Sequence, residues 1–410
     1  MIGRLVLALR DADWFDQSRA RAYRTLLAFI LLGAAFAWVL LSRHGIDLAG
    51  KPLGTDFLAF WSAARLALAG TPEAAWNLTQ ITATERAAMP VDPGASSFLY
   101  PPPFLLACLP FGQLPYFAAL PLWLMLTGAT YFAAVRLWLP VHRGTILTIA
   151  AFPAVVSNLG HGQNGFLTAA LLGGGLWLLD RRPWIAGLLL GALVIKPQLA
   201  LAVPILLLAG GHKRALLAAL ASAATLCLAA TFRFGVQVWQ AFFDAAPLGR
   251  NILDHGLVEP GKMVSPFAAF RVFHAPAALA YSAQILVAAA AGLAVAYLAR
   301  TRNVPSGGQA AFAVAATLLM SPFLLDYDLT AAAIPLAWLF AESLRRGFRP
   351  WEKSVLALAY VLPLVARPIA LATGVPIAPF ILAALALAVA RAAFPDSAYS
   401  RRLQGAAAGS

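Results

Sequence analysis

A single carboxylate, Asp56, follows the first long apolar stretch of the chain and lies in the segment G-T-D-F-L-A-F-W-S-A-A-R-L-A-L-A-G at residues 54–70. A carboxylate beside a membrane is costly, so such a residue usually has a function. One hypothesis is that Asp56 is a general base that accepts the proton of a hydroxyl nucleophile. The alternative is a structural role, in which Asp56 caps a helix that begins at Phe57 and interacts favourably with the helix dipole.

Lys196 is a second charged residue that interrupts apolar sequence. The chain has five lysines, and only Lys196 has long apolar runs directly before and after it. It is either an interface lysine whose ammonium group reaches the water or a compact cation for a lipid-linked phosphate. We expect Pro197 to break the helix at this point and to free backbone groups that face a polar cavity.

Two further groups of polar residues also interrupt apolar runs. His161, Gln163 and Asn164 lie between two glycine-containing segments. They form either a polar turn between helices or a set of hydrogen-bonding side chains of the kind that a sugar site needs. Asp326 and Asp328 form a short D-x-D motif. This motif either binds a divalent metal or flanks a short outer turn.

The composition defines the class of protein. Of the 410 residues, 61% are hydrophobic and 11% are charged, whereas globular proteins average about 45–50% apolar residues. The excess extends over the whole length in continuous Leu- and Ala-rich runs, which predicts an all-α polytopic membrane protein and disfavours a β-barrel. The net charge of +13 comes from basic residues that stand singly or in small groups between apolar segments, so we expect membrane anchors and no nucleic-acid partner.

We expect a single integral membrane domain over residues 1–410, with about 11 to 13 membrane helices or half-helices. A cytoplasmic amphipathic lead is predicted at 1–21, and outer loops that carry short amphipathic helices are predicted at 44–98 and 232–277. Spans are predicted at 22–42, 114–139, 145–159, 165–179, 215–230, 278–299, 309–325, 329–342 and 353–394, the last divisible at 374–376. The apolar segments 184–195 and 199–209 lead into and out of the expected break at Lys196-Pro197. Residues 57–68 are predicted to form a helix on the membrane surface, and residues 100–109 a re-entrant or tilted half-helix.

The distribution of Lys and Arg predicts an orientation. With the N-terminus inside, and with turns assumed at 100–109 and at Lys196, the following residues fall on the cytoplasmic side: Arg136, His142, Arg143, Arg181, Arg182, Lys213, Arg214, Arg300, Arg302, Arg345, Arg346, Arg349, Arg401 and Arg402. The same topology places Asp56, the turn at 161–164, Lys196 with Gln198, and the turn at 326–328 together on the outer side. The sequence therefore predicts one polar site on that face.

Five short motifs in order resemble glycosyltransferase family 87. They are D-F-L-A-F-W-S-A-A-R-L-A-L-A-G at 56–70, Y-P-P at 100–102, G-Q-N at 162–164, A-G-L-L-L-G-A-L-V-I-K-P at 186–197 and S-P at 321–322. This family contains bacterial polyprenyl-phosphate-mannose-dependent mannosyltransferases of the GT-C superfamily, and it is also filed as an uncharacterised domain family. The chain departs from the family pattern after Ser321-Pro322, where F-L-L-D-Y-D stands in place of a Trp- and His-containing segment.

The resemblance implies a GT-C fold and an inverting hexosyltransferase that works on the outer face of the bacterial inner membrane. Asp56 would be the general base, and a polyprenyl-phosphate-linked sugar would be the donor. The acceptor would be a lipid or a glycan, and no metal or nucleotide cofactor is expected. The residues expected to bind the donor phosphate or lipid are Lys196, Arg65 and Tyr100, and those expected to bind the sugar or acceptor are His161, Gln163, Asn164, Gln198, Asp326 and Asp328.

Two other functions compete with this interpretation. A transporter or flippase of a lipid-linked or anionic substrate also places charged residues and broken helices in a membrane, but usually at the midplane of a repeated architecture. The predicted topology here gathers polar residues at one face, and no repeat is evident. The other alternative is an inactive assembly partner of another transferase. Substrate flux in proteoliposomes without any glycosylated product would favour the transporter.

Overall fold

The computed structural model describes residues 2–92, 94, 97–140 and 144–394. The chain is 77% helical, and the described residues contain no strand. The α-helices are α1 Ile2–Asp11, α2 Gln17–Leu41, α3 Thr55–Leu68, α4 Leu78–Ala88, α5 Pro102–Gly112, α6 Tyr116–Arg136, α7 Thr145–Ala150, α8 Pro153–His161, α9 Gly165–Leu178, α10 Pro183–Gly191, α11 Ala202–Ala209, α12 Lys213–Phe234, α13 Gln237–Asp254, α14 Pro266–Val272, α15 Ala277–Arg300, α16 Ser306–Met320, α17 Ala333–Arg346, α18 Glu352–Thr373 and α19 Ala378–Ala393. Short 3-10 helices occupy Pro72–Trp76, Ala192–Ile195, Pro197–Leu199, Pro260–Lys262 and Asp326–Ala332.

Within the described residues, five helices are long and apolar enough to cross a membrane: α2, α6, α12, α15 and α18. Five shorter apolar segments accompany them at Pro102–Gly112, Gly165–Leu178, Pro183–Ile195, Ser306–Met320 and Ala378–Ala393. The predicted class, an all-α polytopic membrane protein, is confirmed. Of the basic residues used to predict the orientation, His142, Arg143, Arg401 and Arg402 lie outside the described residues.

Proline and glycine set several helix boundaries. The predicted span at 145–159 is wrong as one continuous helix, because α7 ends at Ala150 and α8 begins at Pro153. Proline favours the first turn of a helix and disfavours helical backbone in the residue before it. The expected division near 374–376 is confirmed, since α18 ends at Thr373 and Gly374 adopts a left-handed conformation with φ +70°.

Helix α3 differs from the expected surface helix. The helix itself is present, but most of its side chains are buried inside the protein, where α3 packs mainly against α5. Its aromatic residues join a cluster in which the rings of Phe60 and Phe104 lie 4.8 Å apart and perpendicular. Edge-to-face aromatic pairs of this kind stabilise close packing. The segment predicted as the first outer loop therefore folds back into the protein and fixes the position of Asp56.

The two predicted outer loops contact each other. Helix α13, from the second loop, packs on the 3-10 helix Pro72–Trp76 of the first loop, and the Trp76 and Phe242 rings are 6.3 Å apart. These loops lie at the end of the helical bundle where α6 and α9 begin and α16 ends. The same chain directions place Arg136, Arg181 and Arg300 at the other end, roughly 20 Å away along α9. One end of the bundle thus carries these arginines, and the other end carries the two loops.

Candidate active site

Asp56 lies in the first turn of α3, one residue after the helix begins at Thr55. The hypothesis that it caps this helix is wrong, because Gly54 occupies the capping position and no side chain caps the first turn. The Oδ2 atom of Asp56 instead accepts a hydrogen bond of 2.9 Å from Nε2 of Gln163. Oδ1 lies 3.7 Å from Nδ1 of His161, and 31% of the Asp56 side chain is exposed. One carboxylate oxygen is therefore held in place while the group remains accessible.

Gln163 connects Asp56 to the rest of the site. Its Oε1 atom accepts hydrogen bonds from the Tyr100 hydroxyl at 3.0 Å and from the Asn164 backbone N–H at 2.8 Å. With its amide oxygen engaged by two donors, Gln163 must present its NH₂ group to Asp56. The side chain is 2% exposed, so this orientation is fixed by its surroundings.

The turn that carries Gln163 packs closely on the start of α3. Gly162 ends α8 with φ +64°, and a Cβ atom there would lie 2.6 Å from Cβ of Phe57 and 2.9 Å from Cδ1 of Leu120. Gly54, with φ +71°, donates its N–H to the Gly160 carbonyl at 3.2 Å. Glycine supplies both the left-handed backbone and the close approach. The two turns therefore place Asp56 and Gln163 against each other.

Lys196 lies between the 3-10 helices Ala192–Ile195 and Pro197–Leu199, where the expected helix break occurs. Its side chain is 3% exposed, and Nζ donates to Oδ1 of Asn164 at 3.1 Å and to Oδ1 of Asp328 at 2.5 Å. The rings of Tyr100 and Tyr327 flank the ammonium group at 5.8 and 5.4 Å, within cation–π range. Lys196 is thus a buried ion-pair partner, which disagrees with an interface lysine whose ammonium group reaches the water, and its role toward a phosphate stays a prediction.

His161 borders the accessible side of Asp56. Its Nδ1 atom lies 3.0 Å from Oγ1 of Thr55, and its ring meets that of Tyr327 edge to face at 5.5 Å. Burial opposes protonation of this imidazole, but attraction to Asp56 and Asp326 outweighs it and raises the pKa of His161 above its ordinary value. A protonated His161 would be a hydrogen-bond donor and a positive charge beside the carboxylate.

Asp326 is 8% exposed and lies at the start of the 3-10 helix Asp326–Ala332. Its Oδ2 atom is 4.0 Å from Nη1 of Arg367 in α18, which forms a loose ion pair. Within the described residues, no group of three or more His, Cys, Asp or Glu side chains is arranged to hold a metal ion. Independence from metal remains a prediction.

The structure brings eight of the ten predicted site residues into one region: Asp56, Tyr100, His161, Gln163, Asn164, Lys196, Asp326 and Asp328. Arg65 is not among them. It lies nine residues after Asp56 on α3, about 13 Å along the helix axis, where it contacts Trp61 and the Gly112 carbonyl. Gln198 is half-buried, and its side chain makes no hydrogen bond within the part of the chain that the structure describes.

Sequence reasoning missed Tyr327 and Arg367. Tyr327 lies between the two predicted aspartates, and a tyrosine in such a turn is a weak indication by itself. Arg367 is the only charged residue between Ser354 and Thr373 of α18. A lone charge inside an apolar span was the available indication of function, because such residues usually face a polar site.

Together, the fold and the site define a polytopic helical membrane protein with a carboxylate-centred polar site at one end of its bundle. Residues 98–322, more than half of the chain, match the model of glycosyltransferase family 87, and the chain belongs to this family. The matched range includes Tyr100, Gln163 and Lys196 and excludes Asp56 and Asp328. No curated protein and no solved structure matches the chain. The suspected family is confirmed, and it makes the chain a glycosyltransferase in the general sense.

Proposed function

We propose that the chain is an inverting glycosyltransferase of GT-C type that uses a polyprenyl-phosphate-linked sugar as donor. The sugar is mannose or another hexose or pentose, and the acceptor is a hydroxyl group of a lipid or a polysaccharide. The observation that carries the proposal is the environment of Asp56, where one oxygen is hydrogen-bonded to Gln163 at 2.9 Å and the side chain stays 31% exposed. A general base needs this combination of fixed direction and access to substrate.

In the proposed reaction, Asp56 accepts the proton of the acceptor hydroxyl while the oxygen of that hydroxyl attacks the anomeric carbon of the donor sugar. A new C–O glycosidic bond forms as the bond between that carbon and the phosphate oxygen breaks. The polyprenyl phosphate departs with the bonding electron pair. Its low basicity means that a protein acid is not required for it to leave. Attack opposite the leaving group inverts the anomeric configuration.

The other polar residues have supporting roles in this proposal. His161 hydrogen-bonds the sugar or the acceptor, with Asp326 at the edge of the same region, and Tyr100 offers an aromatic surface to the sugar or the lipid. Gln163 and Asn164, which are 2% and 0% exposed, position Asp56 and Lys196 through their hydrogen bonds. Lys196 and Asp328 form a buried pair that holds Asn164 and the segment that carries Tyr327. We assign no role in substrate binding to Arg65 or Gln198. Neither a metal nor a nucleotide is assigned to the site.

The proposed location is the bacterial inner membrane, with the site on the outer side. Its support is the separation of the site from Arg136, Arg181 and Arg300, which lie toward the opposite end of the bundle. Cytoplasmic loops carry an excess of Lys and Arg. Membrane lipids surround the bundle, and no nucleic-acid partner is proposed.

The experiment is sugar transfer by the purified protein in lipid nanodiscs. A panel of polyprenyl-phosphate sugars is supplied with membrane lipid and glycan extracts as acceptors. We expect a glycosylated product whose anomeric configuration, measured by NMR, is opposite to that of the donor, and whose rate does not change with EDTA. Retention of configuration would contradict the direct displacement. Flux of a lipid-linked substrate across proteoliposomes without any glycosylated product would instead favour a transporter.

A further inference from the structure

Arg367 is an isolated charge in an otherwise apolar part of α18, between Pro363 and Pro368. Its side chain is 39% exposed. A charged residue in a candidate membrane span is costly unless it faces a partner or a polar cavity. Helix α18 packs against α8 and against the 3-10 helix Asp326–Ala332, both of which carry residues of the active site.

The guanidinium group of Arg367 has N–H donors that can bind a ligand. Its nearest acidic atom, Oδ2 of Asp326, lies 4.0 Å from Nη1, which is too far for a hydrogen bond. Among the described residues, no hydrogen bond engages its N–H groups. Its charge also acts on His161, which places it near the accessible side of Asp56. Arg367 is therefore a cation beside the site with its fork of five donors available.

Lys196, the other cation of the site, is differently placed. It is 3% exposed, and its charge is matched by Asp328, which is 2% exposed. A phosphate that bound Lys196 would leave the Asp328 carboxylate without its partner in the protein interior, which is strongly unfavourable. Arg367 has no such close partner, because its Nη1 lies 4.0 Å from Oδ2 of Asp326, whereas Lys196 is hydrogen-bonded to Asp328.

We propose that Arg367 binds the phosphate of the lipid-linked donor through two N–H groups of its guanidinium. This inference rests on the proposed function, since it takes the donor to be a polyprenyl phosphate. Arginine matches phosphate oxygens bidentately, and such charge-assisted hydrogen bonds are the strong ones. Asp326 is a positioning residue that keeps the guanidinium facing the site. The sugar then extends from the phosphate toward Asp56 and His161.

The test is binding of a synthetic polyprenyl monophosphate to the protein in phosphatidylcholine nanodiscs. We compare wild type with Arg367→Gln and Arg367→Lys. Arg233→Gln is the matched control, because Arg233 is an exposed arginine near the loop-bearing end of α12. Its guanidinium lies over the ring of Phe234 and forms no hydrogen bond or ion pair with the described residues. We expect Arg367→Gln to weaken binding roughly 10- to 100-fold, and the control to match wild type. Polyprenol without phosphate should bind all variants equally.

Arg367→Lys keeps the positive charge but removes the planar guanidinium. A specific loss of donor affinity in this variant can therefore be distinguished from a general loss of folding. We expect it to raise the KM for the donor several-fold with little change in kcat or in the KM for the acceptor. Equal binding of the monophosphate by wild type and Arg367→Gln would overturn the assignment of Arg367 alone. Failure of wild type to bind it would overturn the donor class as well. Equal competition by phosphatidylglycerol would indicate a general anionic-lipid site and would also overturn the proposal.

Discussion

Nε2 of Gln163 donates a hydrogen bond of 2.9 Å to Oδ2 of Asp56, across 107 residues of sequence. This bond joins the turn between α8 and α9 to the first turn of α3. Because the other end of the Gln163 amide accepts from Tyr100 and Asn164, the group cannot rotate without losing three hydrogen bonds. Gln163 therefore determines the direction in which the Asp56 carboxylate points.

Replacement of Gln163 by glutamate is expected to slow sugar transfer. Gln163→Glu has nearly the same shape, but it removes the donor to Asp56 and places a second carboxylate beside it. Loss of a hydrogen bond to a charged group predicts a roughly 10- to 100-fold fall in kcat. Steady-state kinetics of transfer measure this. Gln198→Glu is the control, and it should stay within about twofold of wild type because Gln198 is not bonded to the site. Equal effects of the two changes would contradict the role of Gln163.

The Lys196–Asp328 pair is expected to dominate the stability of this region. Lys196→Met leaves the Asp328 carboxylate buried without its partner and should lower the free energy of unfolding by about 3–5 kcal/mol. The double variant Lys196→Met/Asp328→Asn should recover a large part of that loss. Unfolding in mixed micelles provides the measurement.

The matched control for this ion pair is Arg86→Gln. Arg86 pairs with Asp92 at 3.0 Å, but the two side chains are 57% and 60% exposed. An exposed pair contributes about 0–1 kcal/mol, so Arg86→Gln should have little effect. A loss at Lys196 as small as the loss at Arg86 would show that the buried pair is not structural.

Two neighbouring glycines give a sharp test of the turn that carries Gln163. Gly162→Ala places a Cβ 2.6 Å from Cβ of Phe57 in left-handed backbone, and we expect a loss of about 2 kcal/mol or more. Gly160→Ala introduces a Cβ with nothing within 4 Å, so it should be neutral or slightly stabilising. Thermal unfolding in detergent compares the two variants. Equal stabilities would contradict the close packing of the turn on α3.

The raised pKa of His161 predicts a pH dependence of stability. Protonation of His161 is favoured in the folded state by Asp56 and Asp326. Its contribution is therefore fully present below the unfolded pKa of about 6.5 and is lost as pH rises through the higher folded value. The difference in Tm between wild type and His161→Gln should shrink as pH rises from about 6 to 9. A difference that grows with pH would contradict the attraction.

Much of the site was predictable because it depends on topology. The positions of Lys and Arg, with two assumed turns, placed Asp56, the turn at 161–164 and Lys196 on one side, and the structure brings these residues together. The helix breaks at Pro197 and Gly374 also follow from local backbone chemistry. These features need no knowledge of which helices pack together.

The features that escaped prediction depend on packing. Aspartate is a residue type that often caps helices, but α3 begins at Thr55, one residue before Asp56. The Asp56 carboxylate is instead hydrogen-bonded to Gln163, which is 107 residues away in sequence. The ion pair between Lys196 and Asp328 was not predicted, because it forms only where two segments that are 132 residues apart in sequence meet. Arg65 shares a motif with Asp56, yet the helical rise carries it away from the site.

The variant Asp56→Asn tests most directly whether Asp56 is the general base. Asparagine keeps the size of the side chain and removes its capacity to accept the proton. We expect kcat for sugar transfer to fall about 100- to 10,000-fold, with Tm and binding of a polyprenyl monophosphate nearly unchanged. Asp244→Asn, at an exposed residue of α13, should retain full activity. Full activity of folded Asp56→Asn would contradict the account.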